Sequence, residues 1–81
     1  MEIYVGNLSY DATEEDIKKA FAEFGNVEAV KIITDRYSGR SKGFGFVTMP
    51  DETEGKAAID GLNGRNMMGR DLKVNEARPR M

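Results

Sequence analysis

The sequence predicts an α+β fold, a β-α-β-β-α-β sandwich in which a four-stranded antiparallel sheet carries two helices on one face. Three observations predict it. Two segments repeat apolar residues at helical spacing, four segments have the alternation or β-branched composition of strands, and these segments follow one another in that order. The length of 81 residues limits the chain to one small domain. We expect this domain to span residues 1–81, with a core at about 2–77 and a basic extension at 78–81.

The first strand is predicted at Glu2–Gly6, where Ile3 and Val5 alternate with Tyr4. Because successive side chains of a strand point to opposite faces, Tyr4 should lie on the face away from the two aliphatic residues.

The first helix is predicted to begin after Thr13, whose hydroxyl can cap it while Asp16 supplies the carboxylate three residues later. Gly25 is expected to end it. The apolar stripe at i, i+3, i+4 and i+7 consists of Ile17, Ala20, Phe21 and Phe24. Both phenylalanines are therefore expected in the core.

The second and third strands are predicted at Val27–Ile33 and Lys42–Met49, joined by a polar loop over Thr34–Ser41. The third strand places large rings on the same face as a cation and two glycines on the other face, which is the wrong arrangement for a core. The residues of the ring-bearing face are Lys42, Phe44, Phe46 and Thr48.

The second helix is predicted after Asp51, with Glu54 three residues later, and Asn63–Gly64 should stop it. Met67–Gly69 is expected to be a connection, and Leu72–Asn75 alternates as a last strand. The helix's apolar stripe consists of Gly55, Ala58, Ile59 and Leu62.

This order of elements predicts a ferredoxin-like topology. Right-handed crossovers place both helices on the same side of the sheet, with the first and third strands adjacent in its centre. Tyr4 should then lie beside Phe44 and Phe46 on the face that carries no helix.

Composition removes several classes of chemistry. The chain has no cysteine and no histidine, which excludes disulfides, cysteine or histidine zinc sites, thiol nucleophiles and imidazole catalysis. The chain lacks the phosphate-binding motif G-x-x-x-x-G-K. The motif would need glycine at position 50, five residues before Gly55–Lys56, and that position is proline. We therefore expect no enzyme, cofactor or metal. With no signal peptide and no membrane span in the sequence, we expect a cytoplasmic location, or a nuclear one in a eukaryote.

Charge is segregated along the chain although the formal net charge is only −2. Residues 11–24 and 50–60, the two predicted helices, each carry a net −3, whereas residues 29–49 and 65–81 each carry a net +3. If the helices cover one side of the sheet, the other side and its rim are positive.

The chain resembles the RNA recognition motif family over its whole length. The segment Lys42–Met49 matches the family octamer at seven of its eight positions, and Ile3–Leu8 matches the family hexamer throughout. Met49 replaces an aromatic residue and should point to the core, so it changes packing rather than the binding surface. The chain is similar to short single-module proteins of bacteria, including cyanobacteria.

The resemblance implies a role for each matching residue. Tyr4 and Phe46 would each stack on a base, Phe44 would contact the sugars between those bases, and Lys42 would bind phosphate. Further contacts would come from Asn7, from the loop residues Arg36 and Arg40, and from a C-terminal group made of Lys73, Asn75, Glu76, Ala77, Arg78, Pro79 and Arg80. Solvated loop charges explain Arg36 and Arg40 equally well. A structural role is favoured for Tyr10, Tyr37, Met67 and Met68.

These observations predict single-stranded RNA binding in post-transcriptional RNA handling, by a monomer with modest sequence preference. Two stacks contribute about 2 to 6 kcal/mol, whereas a micromolar complex requires about 8 kcal/mol. We therefore expect micromolar or weaker affinity for about three to five nucleotides. Single-stranded DNA binding remains an alternative, because stacking does not distinguish it. A protein-interaction module that uses the same sheet or the acidic helices is the other alternative. Replacing Tyr4 and Phe46 by alanine would leave partner binding through the helices intact but would abolish RNA binding.

Overall fold

A computed structural model describes residues 1–34, 37 and 41–77, with the side chains of residues 34, 41 and 42 excepted. These residues form two α-helices and six β-strands. The elements are β1 (Glu2–Gly6), α1 (Glu14–Ala22), β2 (Ala29–Thr34), β3 (Ser41–Thr48), α2 (Glu52–Leu62), β4 (Asn66–Met67), β5 (Arg70–Asp71) and β6 (Lys73–Glu76).

The main sheet has four antiparallel strands in the order β2-β3-β1-β6. This confirms the predicted fold, with β1 and β3 in the centre and both helices on one face. In the register, Tyr4 lies opposite Phe46 on one side and opposite Asn75 on the other. Side chains that face each other across an antiparallel pair lie on the same side of the sheet, so these three share the helix-free face.

The core lies between the sheet and the helices, because one side chain in two along the central strands points that way. Val5, Val47 and Val74 form part of its sheet side, and Ile17 and Phe21 come from α1. The buried apolar residues are Ile3, Val5, Leu8, Ala12, Ile17, Phe21, Val47, Met49, Ala58, Leu62, Leu72 and Val74. Met49 is completely buried, which confirms its predicted orientation. Within the described residues, neither helix is long and apolar enough to span a membrane.

Helix α1 begins as predicted but ends early. Thr13 is its N-cap, and Asp16 completes a reciprocal capping box. The prediction that Gly25 ends the helix was wrong, because the last helical residue is Ala22 and the backbone of Glu23 keeps helical dihedrals at the C-cap. Phe24 therefore lies beyond the helix and is only partly buried, with its ring against Gly61 of α2.

Helix α2 follows its prediction at both ends. Asp51 caps it by accepting a 2.9 Å hydrogen bond from the Glu54 backbone N–H, and Asn63 is the C-cap. The Glu54 side chain does not return to Asp51. It accepts a 3.1 Å hydrogen bond from the Asn26 backbone N–H, which ties the turn after α1 to the start of α2.

Strand boundaries differ from the predicted ones by one or two residues, apart from β1, and one hairpin was not predicted. Residues 66–71, expected to contain only a connection, form the β4–β5 hairpin. Its two central residues, Met68 and Gly69, have φ of 53° and 87°. Positive φ at both positions matches the twist of a tight hairpin, and glycine supplies one of them at little strain.

Candidate nucleic-acid interface

Three aromatic rings form one cluster on the helix-free face of the two central strands. The ring centroids of Tyr4, Phe44 and Phe46 lie 6.0 to 6.4 Å apart. The ring planes of Tyr4 and Phe44 make an angle of 32°. The ring plane of Phe46 makes an angle of 63° with that of Tyr4 and 88° with that of Phe44. All three are partly exposed. We call these three residues the ring cluster.

Local backbone features hold the ring cluster in place. Tyr4 lies opposite Phe46, which sets the two rings side by side on adjacent strands. The ring of Tyr4 leans over Gly6, where an added Cβ would approach the ring carbon Cε1 to 2.8 Å. At Gly45 the backbone of β2 comes close, so that an added Cβ would meet the Lys31 carbonyl oxygen and lie 3.1 Å from the Ile32 Cα. Gly6 thus leaves room for the ring of Tyr4, and Gly45 lets β2 lie close beside β3.

Strand β6 brings two of its predicted residues to this face. Asn75 is opposite Tyr4, and Lys73 is opposite Gly6, so both side chains lie on the helix-free side and both are exposed. Glu76 is also exposed, but it is opposite Ile3, whose side chain points to the helices. The structure therefore does not bring Glu76 to the rings.

Ala77 continues the pairing between β1 and β6 beyond the end of β6. Its backbone N–H donates a 2.9 Å hydrogen bond to the Glu2 carbonyl oxygen, and the residue is partly buried.

Asn7 holds the β4–β5 hairpin against the end of β1. Its amide nitrogen donates to the Asp71 carbonyl oxygen at 2.6 Å, and its Oδ1 accepts from Nε and Nη2 of Arg70 at 3.2 and 2.9 Å. The Arg70 guanidinium carbon also lies 5.8 Å from the ring centroid of Tyr10, within cation–π range. A role for Asn7 in RNA binding stays a prediction, since its side chain already makes these bonds within the protein.

A groove beside the ring cluster was not predicted from the sequence. It has a volume of about 370 Å³, and Glu2, Ala29, Lys31, Phe46 and Thr48 line it. Glu2 and Ala29 lie opposite Thr48 on its two sides, and Lys31 lies opposite Phe46. We call this the edge groove. The alternation of Ala29 and Lys31 in β2 was a signal for it, but only the register shows which strand-three residues they adjoin.

Charges on the described residues follow the predicted segregation in outline. Helix acids pair with lysines one turn later, as in Glu15 with Lys19 at 3.8 Å and Glu52 with Lys56 at 3.7 Å. The helix-free face carries Lys31 and Lys73, but it also carries the carboxylate of Glu2. In the part of the chain that is described, no group of acidic side chains is arranged to hold a metal ion.

Several predicted contacts lie outside the described residues, namely Arg36, Arg40, Arg78, Pro79 and Arg80. The backbone of Lys42 belongs to β3, while its side chain is not described. Among residues expected to be structural, Met67 packs against the core, whereas Tyr10, Tyr37 and Met68 are exposed by 63%, 91% and 53%.

Sequence comparison places this geometry among known proteins. A family model described as RNA recognition motif matches residues 3–73. The chain is 58% identical over 80 residues to RbpF of Nostoc sp., covering 99% of this chain and 76% of that protein. It is 47% identical over 77 residues to the glycine-rich RNA-binding protein of Daucus carota, covering 95% of this chain and 49% of that protein.

Solved structures share both the fold and part of the sequence. The crystal structure of RNA binding protein PG1 matches with a TM-score of 0.94 and 47% identity, over 100% of this chain and 98% of that one. The structure of the Rna15 RRM with bound RNA (GU) matches with a TM-score of 0.87 and 33% identity, over 96% and 83% of the two chains.

Proposed function

Since this chain belongs to the RNA recognition motif family, we propose that it binds single-stranded RNA on the helix-free face of its sheet. The observation that carries the proposal is the ring cluster, in which Tyr4, Phe44 and Phe46 lie together on a face that no helix covers. Apolar rings left partly exposed in a group mark an interaction surface, and flat rings match the faces of unstacked bases.

The positions of the rings support a separate role for each of them in the proposed complex. Tyr4 and Phe46 lie on neighbouring strands with centroids 6.0 Å apart, and each offers a surface for one base. Phe44 lies beside both rings, and we expect it to contact the sugars between the two bases. Each stack contributes about 1 to 3 kcal/mol whatever the base, so the rings supply affinity and little sequence preference.

Polar residues around the ring cluster supply the remaining contacts. Lys73 and Asn75 share the face with Tyr4, where they reach base edges and phosphates. Lys42 precedes the octamer rings in β3, and we expect it to bind phosphate. Two stacks contribute about 2 to 6 kcal/mol, whereas a micromolar complex requires about 8 kcal/mol. The polar contacts must supply the difference, so we expect micromolar or weaker affinity.

The family is an RNA-binding family and not an enzyme family. We infer that this chain likewise binds without catalysis, as a monomer, in the cytoplasm or, in a eukaryote, in the nucleus. Assay of the pure protein against phosphoesters, sedimentation and cell fractionation test these three inferences. Single-stranded DNA is the competing ligand, since the ring cluster alone does not read a 2′-hydroxyl.

The test is an NMR and fluorescence-anisotropy titration of the protein with short RNAs and matched DNAs. Tyr4→Ala and Phe46→Ala should each weaken RNA binding by roughly 5- to 150-fold, the equivalent of one lost stack of about 1 to 3 kcal/mol. Tyr4→Phe is the matched control, since it keeps the ring and should bind like the wild type. Shifts should concentrate at the ring cluster and residues 73–77 and be stronger with RNA.

Equal shifts with DNA would contradict the preference for RNA. If neither nucleic acid shifts the helix-free face at high micromolar concentration, the proposal fails and the protein-interaction alternative takes its place.

A further inference from the structure

We propose that the edge groove is a guanine-selective subsite in which Glu2 and Lys31 read a base adjacent to the one stacked on Phe46. The inference rests on the proposed function, since it names a specificity element of the same face. It starts from the position of Glu2, a carboxylate beside the ring cluster on a face proposed to bind a polyanion.

A carboxylate in that position weakens binding unless it has a partner on the ligand. Like charges repel, and phosphate contacts dominate affinity in nucleic-acid complexes. A deprotonated carboxylate only accepts hydrogen bonds, so its ligand partner must be a donor. In RNA the strong neutral donors are the N–H groups of the base edges and the 2′-hydroxyl.

The groove holds Glu2 in an oriented position. The Thr48 hydroxyl donates a hydrogen bond to Glu2 Oε1 at 3.3 Å. Each carboxylate oxygen has capacity for more than one bond, so Oε1 and Oε2 together present an acceptor pair to a ligand. Thr48 lies between two partners in the sheet, with Glu2 of β1 opposite it on one side and Ala29 of β2 on the other.

Lys31 provides a donor on the other wall. It lies on β2, with β3 between it and the strand of Glu2, so the two backbones are about 10 Å apart. Lys31 is opposite Phe46, which also lines the groove. A base lying over Ala29 and Thr48 would therefore face a carboxylate on one edge and an ammonium on another.

Guanine fits this pair of walls by its pattern of donors and acceptors. Its N1–H and 2-amino group are adjacent donors that match a carboxylate, and its O6 and N7 are acceptors that lysine binds. Uracil places its N–H between two carbonyl acceptors, which a carboxylate disfavours. The groove volume of about 370 Å³ falls within the usual range of small-ligand sites.

The test compares guanine with inosine, which lacks only the 2-amino group. Uridine tetranucleotides carrying one G, inosine, A or C at each position are titrated by fluorescence anisotropy. At one position G should bind roughly tenfold more tightly than inosine, in the range of a good bidentate base contact. Glu2→Gln should abolish this difference while the protein still binds the all-uridine RNA.

Glu28→Gln is the matched control. It removes the same charge from a residue on the helix side of the sheet, where Glu28 lines a pocket together with Glu14 and Glu15 of α1. This variant should keep the wild-type preference for guanine. Lys31→Met should lower the affinity for the G-containing RNA more than for the all-uridine RNA.

Three results would overturn the subsite. They are equal binding of G and inosine by the wild type, a preference for C, and a Glu2→Gln protein that binds every RNA more tightly by the same factor. In each case the Tyr4- and Phe46-dependent binding of RNA would still stand. Failure of the wild type to bind any tetranucleotide would instead overturn the proposed function, and the subsite with it.

Discussion

Two residues without side chains determine how close the backbone and the rings can approach each other. Gly6 leaves room for the ring of Tyr4, and Gly45 leaves room for the backbone of β2 beside β3. A β-strand is normally weakened by glycine, so glycine at these positions indicates that something lies close to it. Here the neighbour of Gly6 is the ring of Tyr4, and the neighbour of Gly45 is the backbone of Lys31 and Ile32 in β2.

Gly45→Ala should destabilise the fold by about 1 to 3 kcal/mol, the usual effect of adding volume to a packed site. The reason is steric, because the new Cβ would overlap the Lys31 carbonyl oxygen and press on Ile32, both parts of the backbone. Chemical denaturation followed by circular dichroism measures the change in the free energy of unfolding.

Gly64→Ala is a useful comparison for this variant. Nothing lies within 4 Å of a Cβ added at Gly64, but the φ of this residue is 84°. The expected loss in the free energy of unfolding, about 1 to 2 kcal/mol, therefore reports backbone strain alone. A Gly45→Ala protein as stable as the wild type would show that β2 moves aside freely.

At the scale of elements, the start of α1 is the most fully determined local structure in the chain. The Thr13 hydroxyl accepts from the Asp16 N–H at 3.1 Å, and the Asp16 carboxylate accepts from the Thr13 N–H at 3.0 Å. The backbone bond from Thr13, with smaller contributions from the Thr13 side chain and Lys19, lowers the pKa of Asp16 below its ordinary value of 3.8. The charged form of Asp16 is thus favoured in the folded helix.

This lowered pKa makes part of the stability depend on pH. Because the folded-state pKa lies below the unfolded one, the contribution of Asp16 is complete above pH 3.8 and is lost as the pH falls below that value. The difference in free energy of unfolding between the wild type and Asp16→Asn should therefore be constant near neutral pH and should shrink under acid. Urea denaturation across pH 2.5 to 7 measures it, and a difference that does not change with pH would contradict the capping role.

The β4–β5 hairpin shows how an element can depend on a distant partner. Its strands have only two residues each, and isolated hairpins are marginal in water. Asn7 binds both Arg70 and Asp71 of β5, and its φ of 57° is one that asparagine tolerates better than most residues. The end of β1 thereby supports the hairpin that precedes β6.

For the whole molecule, the arrangement of charge matters more than its sum. The net charge is −2, yet acids concentrate on the helices, where some pair with lysines, and lysines accompany the rings on the other face. An RNA approaching the sheet therefore meets a small positive rim rather than a strongly basic surface. The negative helices lie behind it, across the sheet.

This arrangement predicts a shallow dependence of RNA affinity on salt. Two or three phosphate contacts at about −0.7 each give a slope of roughly −1.4 to −2.1 for log K against log salt concentration. Titrations from 50 to 300 mM KCl measure it. Lys73→Gln should reduce the slope by about 0.7, whereas Lys18→Gln, on α1, should leave it unchanged. A slope as steep as −5 would show that phosphate contacts dominate binding.

Features that depend on neighbours along the chain could be read from the sequence. The alternation of Ile3, Tyr4 and Val5 predicted β1 to the residue, and the spacing of Thr13 and Asp16 predicted the capping box. The same period of two predicted that Phe44 and Phe46 share a face. Local geometry determines each of these, because the side-chain period of a strand or helix is a property of its own backbone.

Only the tertiary structure decided features that join residues far apart in sequence. Phe24 packs on Gly61 instead of extending α1, Glu54 caps the turn at Asn26, and Asn7 binds β5 across more than sixty residues. The edge groove likewise requires β1, β3 and β2 in register. The sequence by itself determined the order of the two helices and the four strands of the main sheet, and the alternation of side chains within β1 and β3. Pairing across the sheet decided which of those side chains meet, because hydrogen-bonded register is a relation between strands and not a property of either one.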